Sequence, residues 1–234
     1  ETIINNSISM LAAGNAIYFS PHPGAKQVSL NLIARMEAIV FKACGIHNLI
    51  VTVREPSFEA TQQMMAHPNI ALLAITGGPG IVSMALKSGK KTIGAGAGNP
   101  PCLVDETAEI VKAARDIIAG ASLDYNLPCI AEKSVIVVEC VADQLIQQMR
   151  EYGALQITDP QQIAALRAAC FQKGAANKKL VGKSPAVILQ AAGLPVPAKC
   201  PKLIIVEVAA DDAFVVIEQL MPVLPIVRVD NFEQ

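Results

Sequence analysis

The sequence has no tryptophan, little charge and no long uninterrupted apolar run. Aromatic residues make up 4% of the 234 positions, too few for the stacked aromatic platforms that bind single-stranded nucleic acids. Lysine and arginine total 19 against 20 aspartate and glutamate residues, and no basic stretch offers a footprint for a nucleic acid backbone. Mean hydropathy is +0.41, yet charged residues, proline or glycine interrupt every apolar run before the roughly 18 residues of a transmembrane helix. The sequence therefore predicts no nucleic acid partner and no membrane span.

Paired cysteines are also missing. Because no C-x-x-C pair and no signal peptide are present, the cysteines are expected to be reduced thiols of a cytoplasmic protein. No histidine has metal-site spacing to them, so no metal site is predicted. For any single cysteine the simplest interpretation is a small core hydrophobe. The six cysteines are Cys44, Cys102, Cys129, Cys140, Cys170 and Cys200.

What the sequence does contain is 52% hydrophobic residues, in an alternation of strand-like and helix-like segments. Ile70–Thr76 is a continuous apolar run, typical of a buried parallel strand, and Thr107–Ala121 carries apolar residues at helical spacing. The repeated strand–helix units predict an α/β fold with parallel sheets and right-handed crossovers. The other predicted strands are Ala16–Ser20, Asn48–Val53, Lys91–Gly94, Cys102–Asp105, Ser134–Glu139, Leu203–Val208 and Val223–Val229. Further helices are predicted at Thr2–Ala13, Gly24–Ala43, Ser57–Ala66 and Val141–Tyr152. Two more are predicted after Asp159 and Ser184, each of which is expected to be an N-cap followed by proline at the first helical position.

A glycine-rich stretch from Gly94 to Pro101 interrupts this alternation and predicts a boundary between two domains, residues 1–97 and 98–234. The chain begins with a glutamate and stops just after a strong strand signal. These ends predict a fragment of a longer protein, in which missing strands would leave apolar sheet edges uncovered. The fragment alone is therefore expected to be poorly soluble or self-associated.

The turn Thr76-Gly77-Gly78-Pro79-Gly80 lies between a predicted strand and a predicted helix. Glycines at such a junction let backbone N–H groups approach a phosphate, and the helix dipole favours the anion. The turn does not match G-x-G-x-x-G, and many strand–helix turns use glycine for geometry alone. Nucleotide binding and a purely structural turn both remain open from this feature.

Cys129 lies in a polar loop, Asn126–Lys133, between a predicted helix and a predicted strand. A loop can present a thiolate to a substrate, which makes Cys129 the candidate nucleophile. Cys44, Cys140 and Cys170 lie in or beside helix-like stretches and are expected to pack against neighbouring elements. Packing remains the alternative interpretation for Cys129.

Several long motifs occur together in one order. They are TGGPG from Thr76, GAGAGNPP from Gly94, VDETAEI from Val104, NLPCIAEK from Asn126 and EQLMPVLPIVRV from Glu218. In order and spacing the sequence resembles the CoA-acylating aldehyde dehydrogenases along nearly its whole length, especially the acetaldehyde, propionaldehyde and butyraldehyde branch. The resemblance implies an aldehyde-dehydrogenase-like fold. Residues 1–97 would form part of a Rossmann-type NAD-binding domain, and residues 98–234 an α/β catalytic domain.

The resemblance also implies roles for individual residues. Cys129 falls on the catalytic cysteine, whose thiolate attacks the aldehyde, and Glu218 on the glutamate that holds the nicotinamide ribose. The NAD adenosine would be lined by Ser20, Pro21 and His22, and the pyrophosphate by the turn containing Thr76, Gly77 and Gly78. Without the resemblance, a solvated charge before a strand is an equally good interpretation of Glu218 as a cofactor-binding residue. The family's oxyanion asparagine would lie in a segment upstream of residue 1.

The implied reaction converts an aldehyde, CoA and NAD reversibly to acyl-CoA and NADH. Hydrolytic relatives carry a glutamate base in the glycine-rich segment, where this chain has Ala95. Without a positioned base, water attack loses a contribution of roughly 10²–10⁴-fold, so CoA is the expected acyl acceptor. A hydrolytic aldehyde dehydrogenase and a non-catalytic or assembly member of the fold remain alternatives. The resemblance further implies a cytoplasmic homo-oligomer, with a bacterial microcompartment and its shell as possible surroundings.

Overall fold

The protein folds as two compact α/β units, Glu1–Gly96 and Ala97–Gln234. The computed structural model describes residues 2–231 and residue 233. The predicted α/β class, with parallel sheets and helical connections, is confirmed in both units. The assignment of residues 1–97 to nucleotide binding and of residues 98–234 to catalysis stays a prediction. No helix in the described part of the chain is long and apolar enough to cross a membrane.

The first unit alternates helices with short strands. Its helices are α1 (Thr2–Ala12), α2 (Lys26–Cys44), α3 (Phe58–Ala66) and α4 (Pro79–Leu86). Its strands are β1 (Ile17–Phe19), β2 (Ile50–Thr52), β3 (Leu72–Thr76) and β4 (Lys91–Ala95). β1 pairs with β2 and β3 with β4, both in parallel. The segments after β1 and β3 therefore lie at the carboxyl ends of parallel strands.

The prediction of a fully buried strand at Ile70–Thr76 is wrong for most of β3. Leu73 is buried, but the neighbouring Leu72 is 41% exposed, and Ile93 on β4 is 63% exposed. Among the described residues β3 pairs with β4 alone, and the core beneath them is a small cluster formed with Met65 and Ala85. An apolar run fits a strand covered on both faces, but it does not reveal which neighbours supply the cover.

The second unit is larger. Its helices are α5 (Ile110–Ser122), α6 (Glu139–Glu151), α7 (Pro160–Cys170), α8 (Pro185–Ala191) and α9 (Ala213–Val216). Its strands are β5 (Pro101–Val104), β6 (Ser134–Val138), β7 (Ala154–Ile157), β8 (Phe171–Gln172), β9 (Ala175–Ala176), β10 (Leu203–Glu207) and β11 (Val223–Val229). β8 and β9 form a small antiparallel hairpin. The remaining strands form one parallel sheet in the order β5-β6-β11-β10-β7.

Helices cover both faces of this sheet, as a parallel sheet requires. On β10, Leu203 and Ile205 pack into a core with α5 and α6, while Ile204 and Val206 pack into a second core with α7, α8 and Phe214. Successive side chains of a strand point to opposite faces, so the continuous apolar run of β10 serves both cores. The sheet is thereby a rigid base for the loops at its edges.

The helix predicted at Thr107–Ala121 begins later than expected, at Ile110. The Asp105 carboxylate accepts hydrogen bonds from Thr107 N at 3.0 Å and from Thr107 Oγ1 at 2.7 Å. An aspartate that bonds to the backbone two residues on favours a turn over a helix. Asp105 was a turn signal in the sequence, but the apolar residues at helical spacing led to a helix predicted from Thr107.

The cap predicted for α7 is confirmed, and it yields a stability prediction. Asp159 Oδ1 accepts a hydrogen bond from Gln161 N at 2.7 Å. Asp159→Ala should therefore lower the free energy of unfolding by about 1 kcal/mol, measured by urea denaturation of the full-length protein. The side-chain cap also predicted at Ser184 is wrong, because Ser184 precedes α8 without a side-chain cap hydrogen bond. Ser184→Ala is therefore the matched control. An equal loss in both variants would contradict the capping role.

Candidate active site

Cys129 lies in the loop between a short turn, Leu123–Asn126, and strand β6. Its side chain is exposed and not part of a disulfide. The loop reaches the sheet at the amino end of β6, where the Lys133 N–H donates to Pro100 O at 2.8 Å. A thiol in this position is open to a substrate, unlike the buried thiol of Cys170.

The segment containing Glu218 reaches the same edge of the sheet. β11 lies beside β6 in parallel register, with Ile226 opposite Val135, and Glu218 precedes β11 just as Cys129 precedes β6. Ligands of open α/β sheets usually bind at the carboxyl ends of the strands. The second unit instead brings the candidate nucleophile and Glu218 together at the amino ends.

Lys133 lies behind the Cys129 loop and is almost completely buried, with 1% of its surface exposed. Its ammonium group donates to Asn126 O at 2.6 Å and Pro128 O at 2.9 Å, and also to Asn126 Oδ1. Burial lowers the pKa of Lys133 to about 8, against the opposing influence of the charges of Glu218, Cys129 and Glu132. The residue therefore interacts electrostatically with both predicted site residues of this unit.

Asn126 is the partner that connects Lys133 to the rest of the loop. Its side-chain Nδ2 donates to Ala121 O at 2.7 Å and to Glu132 O at 2.9 Å. Asn126 is itself 1% exposed, so these bonds are shielded from water. One asparagine thus joins the end of α5, the Cys129 loop and the start of β6.

Glu132 packs against α5 at a position without a side chain. A Cβ atom placed on Gly120 would lie 2.2 Å from Glu132 Oε2, which is a steric overlap. That oxygen is buried and has no hydrogen-bond partner among the described residues. A side chain at position 120 would therefore displace the Glu132 carboxylate from this place against the helix.

The glycine-rich segment also reaches this edge, just before β5. A Cβ on Gly98 would lie 3.7 Å from Cys129 O, and Asn99 Nδ2 donates to Val215 O beside α9. The side-chain oxygens of Asn99 and Gln219 are buried without a hydrogen-bond partner in the described part of the chain. Two unpaired amide acceptors thus flank the segments that carry Cys129 and Glu218.

The residues predicted to line the adenosine follow β1 in the first unit. Ser20 Oγ and Thr61 Oγ1 on α3 share a hydrogen bond of 2.8 Å, and His22 Nδ1 accepts from Gly24 N at 3.1 Å. Ser20 and His22 are exposed and Pro21 is half-buried. The His22 interaction caps a 3-10 turn that leads into α2.

The turn predicted to hold the pyrophosphate follows β3 and leads into α4. Thr76, Gly77 and Gly78 are all exposed, and Gly77 N donates to Ala95 O at 3.2 Å. A Cβ on Gly77 would lie 2.8 Å from Ile81 Cγ2, whereas the space around Gly78 is open. The open backbone before the first turn of a helix fits an anionic diphosphate.

Sequence reasoning missed Lys133 and Asn126, although both stand inside the NLPCIAEK motif. The available signal was a lysine directly before the apolar strand SVIVV, because a charge next to a buried strand needs partners. Whether that lysine turns toward solvent or toward the loop depends on Asn126, and no periodic pattern encodes such a contact. The structure places the remaining predicted residues as described but does not test their roles.

Comparison with known proteins places these features in a family. The family model described as "Aldehyde dehydrogenase family" matches residues 2–234. The chain is 70% identical over 233 residues to a propanal dehydrogenase (CoA-propanoylating) of Salmonella typhimurium, covering 100% of this chain and 50% of that protein. This chain belongs to the aldehyde dehydrogenase family. It spans about half the length of the curated relatives that it matches.

Two solved structures show the same aldehyde dehydrogenase fold. A propionaldehyde dehydrogenase of Rhodopseudomonas palustris, with bound CoA and an acylated cysteine, superposes with a TM-score of 0.90 at 49% identity, over 99% of this chain and 53% of that one. A propionaldehyde dehydrogenase from the Clostridium phytofermentans fucose utilisation bacterial microcompartment gives 0.91 at 43% identity, over 99% and 53%. The predicted aldehyde-dehydrogenase-like fold is therefore confirmed.

In the full-length protein, iodoacetamide is expected to label Cys129 before the other cysteines. Burial raises the pKa of Cys170 to about 12, and burial together with Glu132 raises the pKa of Cys102. Because the thiolate is the reacting form, both should label far more slowly near neutral pH. Peptide mass spectrometry over time gives the order. Earlier labelling of Cys170 would count against the assignment. The packing predicted for Cys44 and Cys140 is wrong, since both side chains are exposed. Together with the exposed Cys200 they show how fast an accessible thiol reacts without the Cys129 loop.

Proposed function

We propose that the protein carrying this chain is a CoA-acylating aldehyde dehydrogenase, which converts an aldehyde, CoA and NAD to acyl-CoA and NADH. The observation that carries the proposal is the exposed Cys129 thiol, presented in a loop at the end of the sheet that the Glu218 segment also reaches. A nucleophilic thiol must be accessible to its substrate. The names of the relatives, which are CoA-acylating and include one with an acylated cysteine, support the same chemistry.

Cys129 would act twice. Its thiolate sulfur forms a bond to the aldehyde carbonyl carbon, and the oxygen takes the negative charge. Loss of hydride from that carbon restores the carbonyl and leaves a thioester on the sulfur. The CoA thiolate then attacks the thioester, the bond to Cys129 breaks, and acyl-CoA leaves with the enzyme thiolate restored. The two half-reactions thus share one covalent intermediate.

NAD, when bound, supplies the hydride acceptor. Ser20, Pro21 and His22 would hold its adenosine, because they follow a parallel strand at its carboxyl end. Thr76, Gly77 and Gly78 would hold its pyrophosphate through the open backbone before α4. Glu218 would hold the nicotinamide ribose through its carboxylate. These assignments rest on the resemblance and on the exposure of the segments.

CoA is favoured over water as the acyl acceptor because of Ala95. Its methyl group has no proton acceptor, and its backbone oxygen is already bonded to Gly77 N at 3.2 Å. A hydrolytic reaction needs a general base to activate water. A hydrolytic aldehyde dehydrogenase is therefore the second candidate, and a non-catalytic member of the fold the third.

The surroundings proposed for this protein follow its relatives. We expect a cytoplasmic homo-oligomer. The fucose microcompartment relative supports a location inside a microcompartment, where contact with the shell is part of the proposal. Propanal is the first aldehyde to test, since the names of both the curated relative and the solved structures specify a three-carbon substrate.

Omitting CoA should stop the reaction after one turnover. With propanal and NAD alone, the full-length protein should form about one equivalent of NADH, because the thioester has no acceptor. Adding CoA should restore steady NADH production. Stopped-flow absorbance measures the NADH, and intact mass spectrometry should find one propanoyl group. Steady release of propanoate without CoA would instead support the hydrolytic candidate.

The matched variants for this experiment are Cys129→Ala and Cys200→Ala. Both thiols are exposed, but only Cys129 is proposed to carry the acyl group. Cys129→Ala should form neither the NADH burst nor the propanoyl adduct, while NAD binding persists. Cys200→Ala should match the wild type. A Cys129→Ala protein with near wild-type turnover would overturn the proposed nucleophile.

A further inference from the structure

We infer that Lys133 is a positioning residue for Cys129: its buried ammonium group fixes the fold of the nucleophile loop and places a positive charge beside the thiolate. The inference rests on the proposed role of Cys129 as nucleophile. Nothing in the reaction scheme above requires Lys133, and it touches no substrate or cofactor in that scheme. Its role is to act through Cys129.

The number of hydrogen bonds available to Lys133 matches the number it makes. An ammonium group carries three N–H donors and no acceptor. The structure gives it three acceptors, namely Asn126 O, Asn126 Oδ1 and Pro128 O. Pro128 is joined directly to Cys129, so the third hydrogen bond holds the peptide group next to the nucleophile. Pro128 O also accepts from Ala131 N at 3.1 Å, which closes the turn around Cys129.

The backbone before the loop is in a conformation that the hydrogen bonds of Lys133 and Asn126 help to maintain. Asp124, Tyr125 and Asn126 have φ values of 47°, 55° and 62°, and none of them is glycine. Left-handed backbone is unfavourable for a residue other than glycine. Three such residues in succession persist only where the surrounding structure enforces them, and strain of this kind clusters at functional sites.

The groups that face Lys133 explain why its charge matters for Cys129. Glu218, Cys129 and Glu132 each favour the protonated lysine, while burial opposes it. Electrostatic interactions are reciprocal, so an ammonium that is stabilised by the thiolate also stabilises the thiolate. Neither Glu132 nor Glu218 makes a hydrogen bond to Lys133 Nζ in the described residues. The carboxylates therefore act on the lysine without neutralising it through a direct ion pair.

Because the pKa of Lys133 is lowered to about 8, the charge is present near neutral pH and is lost as the pH rises through that value. The neutral amine keeps two donors for three acceptors. The support that Lys133 gives to Cys129 should therefore be strongest below about pH 8 and should fade above it. A lysine without influence on Cys129 would produce no such dependence on pH.

The test is the rate of iodoacetamide alkylation at Cys129 as a function of pH, in the full-length protein. The proteins are the wild type, Lys133→Met and Lys133→Arg, with Lys112→Met as control, and peptide mass spectrometry follows each site. Lys112 lies on α5 and pairs only with the exposed Asp116 in the described residues. At about pH 7 Lys133→Met should alkylate at least about threefold more slowly than the wild type. The difference should shrink as the pH rises above about 8.

Lys133→Arg keeps its charge over the whole range, so it should retain a faster rate than Lys133→Met at about pH 7. Lys112→Met should follow the wild type throughout. Equal rates in Lys133→Met and the wild type would overturn the inference, and so would a ratio that is constant with pH. If Lys133→Met does not fold by circular dichroism, Lys133→Gln replaces it. Equal rates for Lys133→Gln and Lys133→Arg at about pH 7 would refute the inference in the same way.

The alkylation readout separates this inference from the proposed function. A failure of the CoA-dependent NADH assay in the wild type would refute the proposed reaction. The alkylation profiles would still test whether Lys133 influences Cys129. Conversely, active wild type with unchanged alkylation in Lys133→Met would refute only the role of Lys133. Where the wild type is active, kcat of Lys133→Met should fall with little change in the KM for NAD, since Lys133 acts in the second unit at Cys129.

Discussion

The candidate active site depends on one buried positive charge. Removing an ammonium group from water costs several kcal/mol unless its donors are satisfied, so Lys133 is stable inside the protein only while its three oxygen acceptors surround it. Two of these belong to Asn126, which in turn bonds to the end of α5 and to the start of β6. The conformation of the loop and the burial of the lysine therefore require each other. Cys129 lies on the exposed side of the loop that Lys133 and Asn126 hold from within the protein.

The sheet determines what this loop can meet. Because β5, β6 and β11 are parallel neighbours, the segments that precede them converge on one edge. Glu218 therefore interacts electrostatically with Lys133, although the two residues are far apart in the sequence. Both faces of the sheet are packed against helices, so the strands are held in register. A covalent mechanism needs its reacting groups placed to within a fraction of an ångström to about 1 Å. A sheet packed on both faces limits movements of the site residues.

Much of this architecture could be predicted from the sequence. The strand predicted at Ser134–Glu139 differs by one residue from β6, Val223–Val229 matches β11, and the Asp159 cap is as expected. β7 and α9 were missed, and a four-residue helix such as α9 has too few positions to show a helical period. Cys129 was singled out by its polar loop and Glu218 only through the resemblance, and their shared edge follows from strand order, which local patterns do not encode. Lys133 was missed because its burial depends on a tertiary contact with Asn126.

The contact between Glu132 and Gly120 makes the effect of a substitution at one position depend on the residue at the other. Any residue larger than glycine at position 120 would overlap the carboxylate of Glu132, whose Oε2 would lie 2.2 Å from the new Cβ. A single change at Gly120 would therefore push against the residue that adjoins Lys133, whereas the same change would meet more space after Glu132 had been replaced by a shorter side chain. The effect of a substitution at either site is therefore expected to depend on the residue at the other. The helix behind the nucleophile loop thus restricts the mutational routes open to the loop, although it contributes no atom to the reaction.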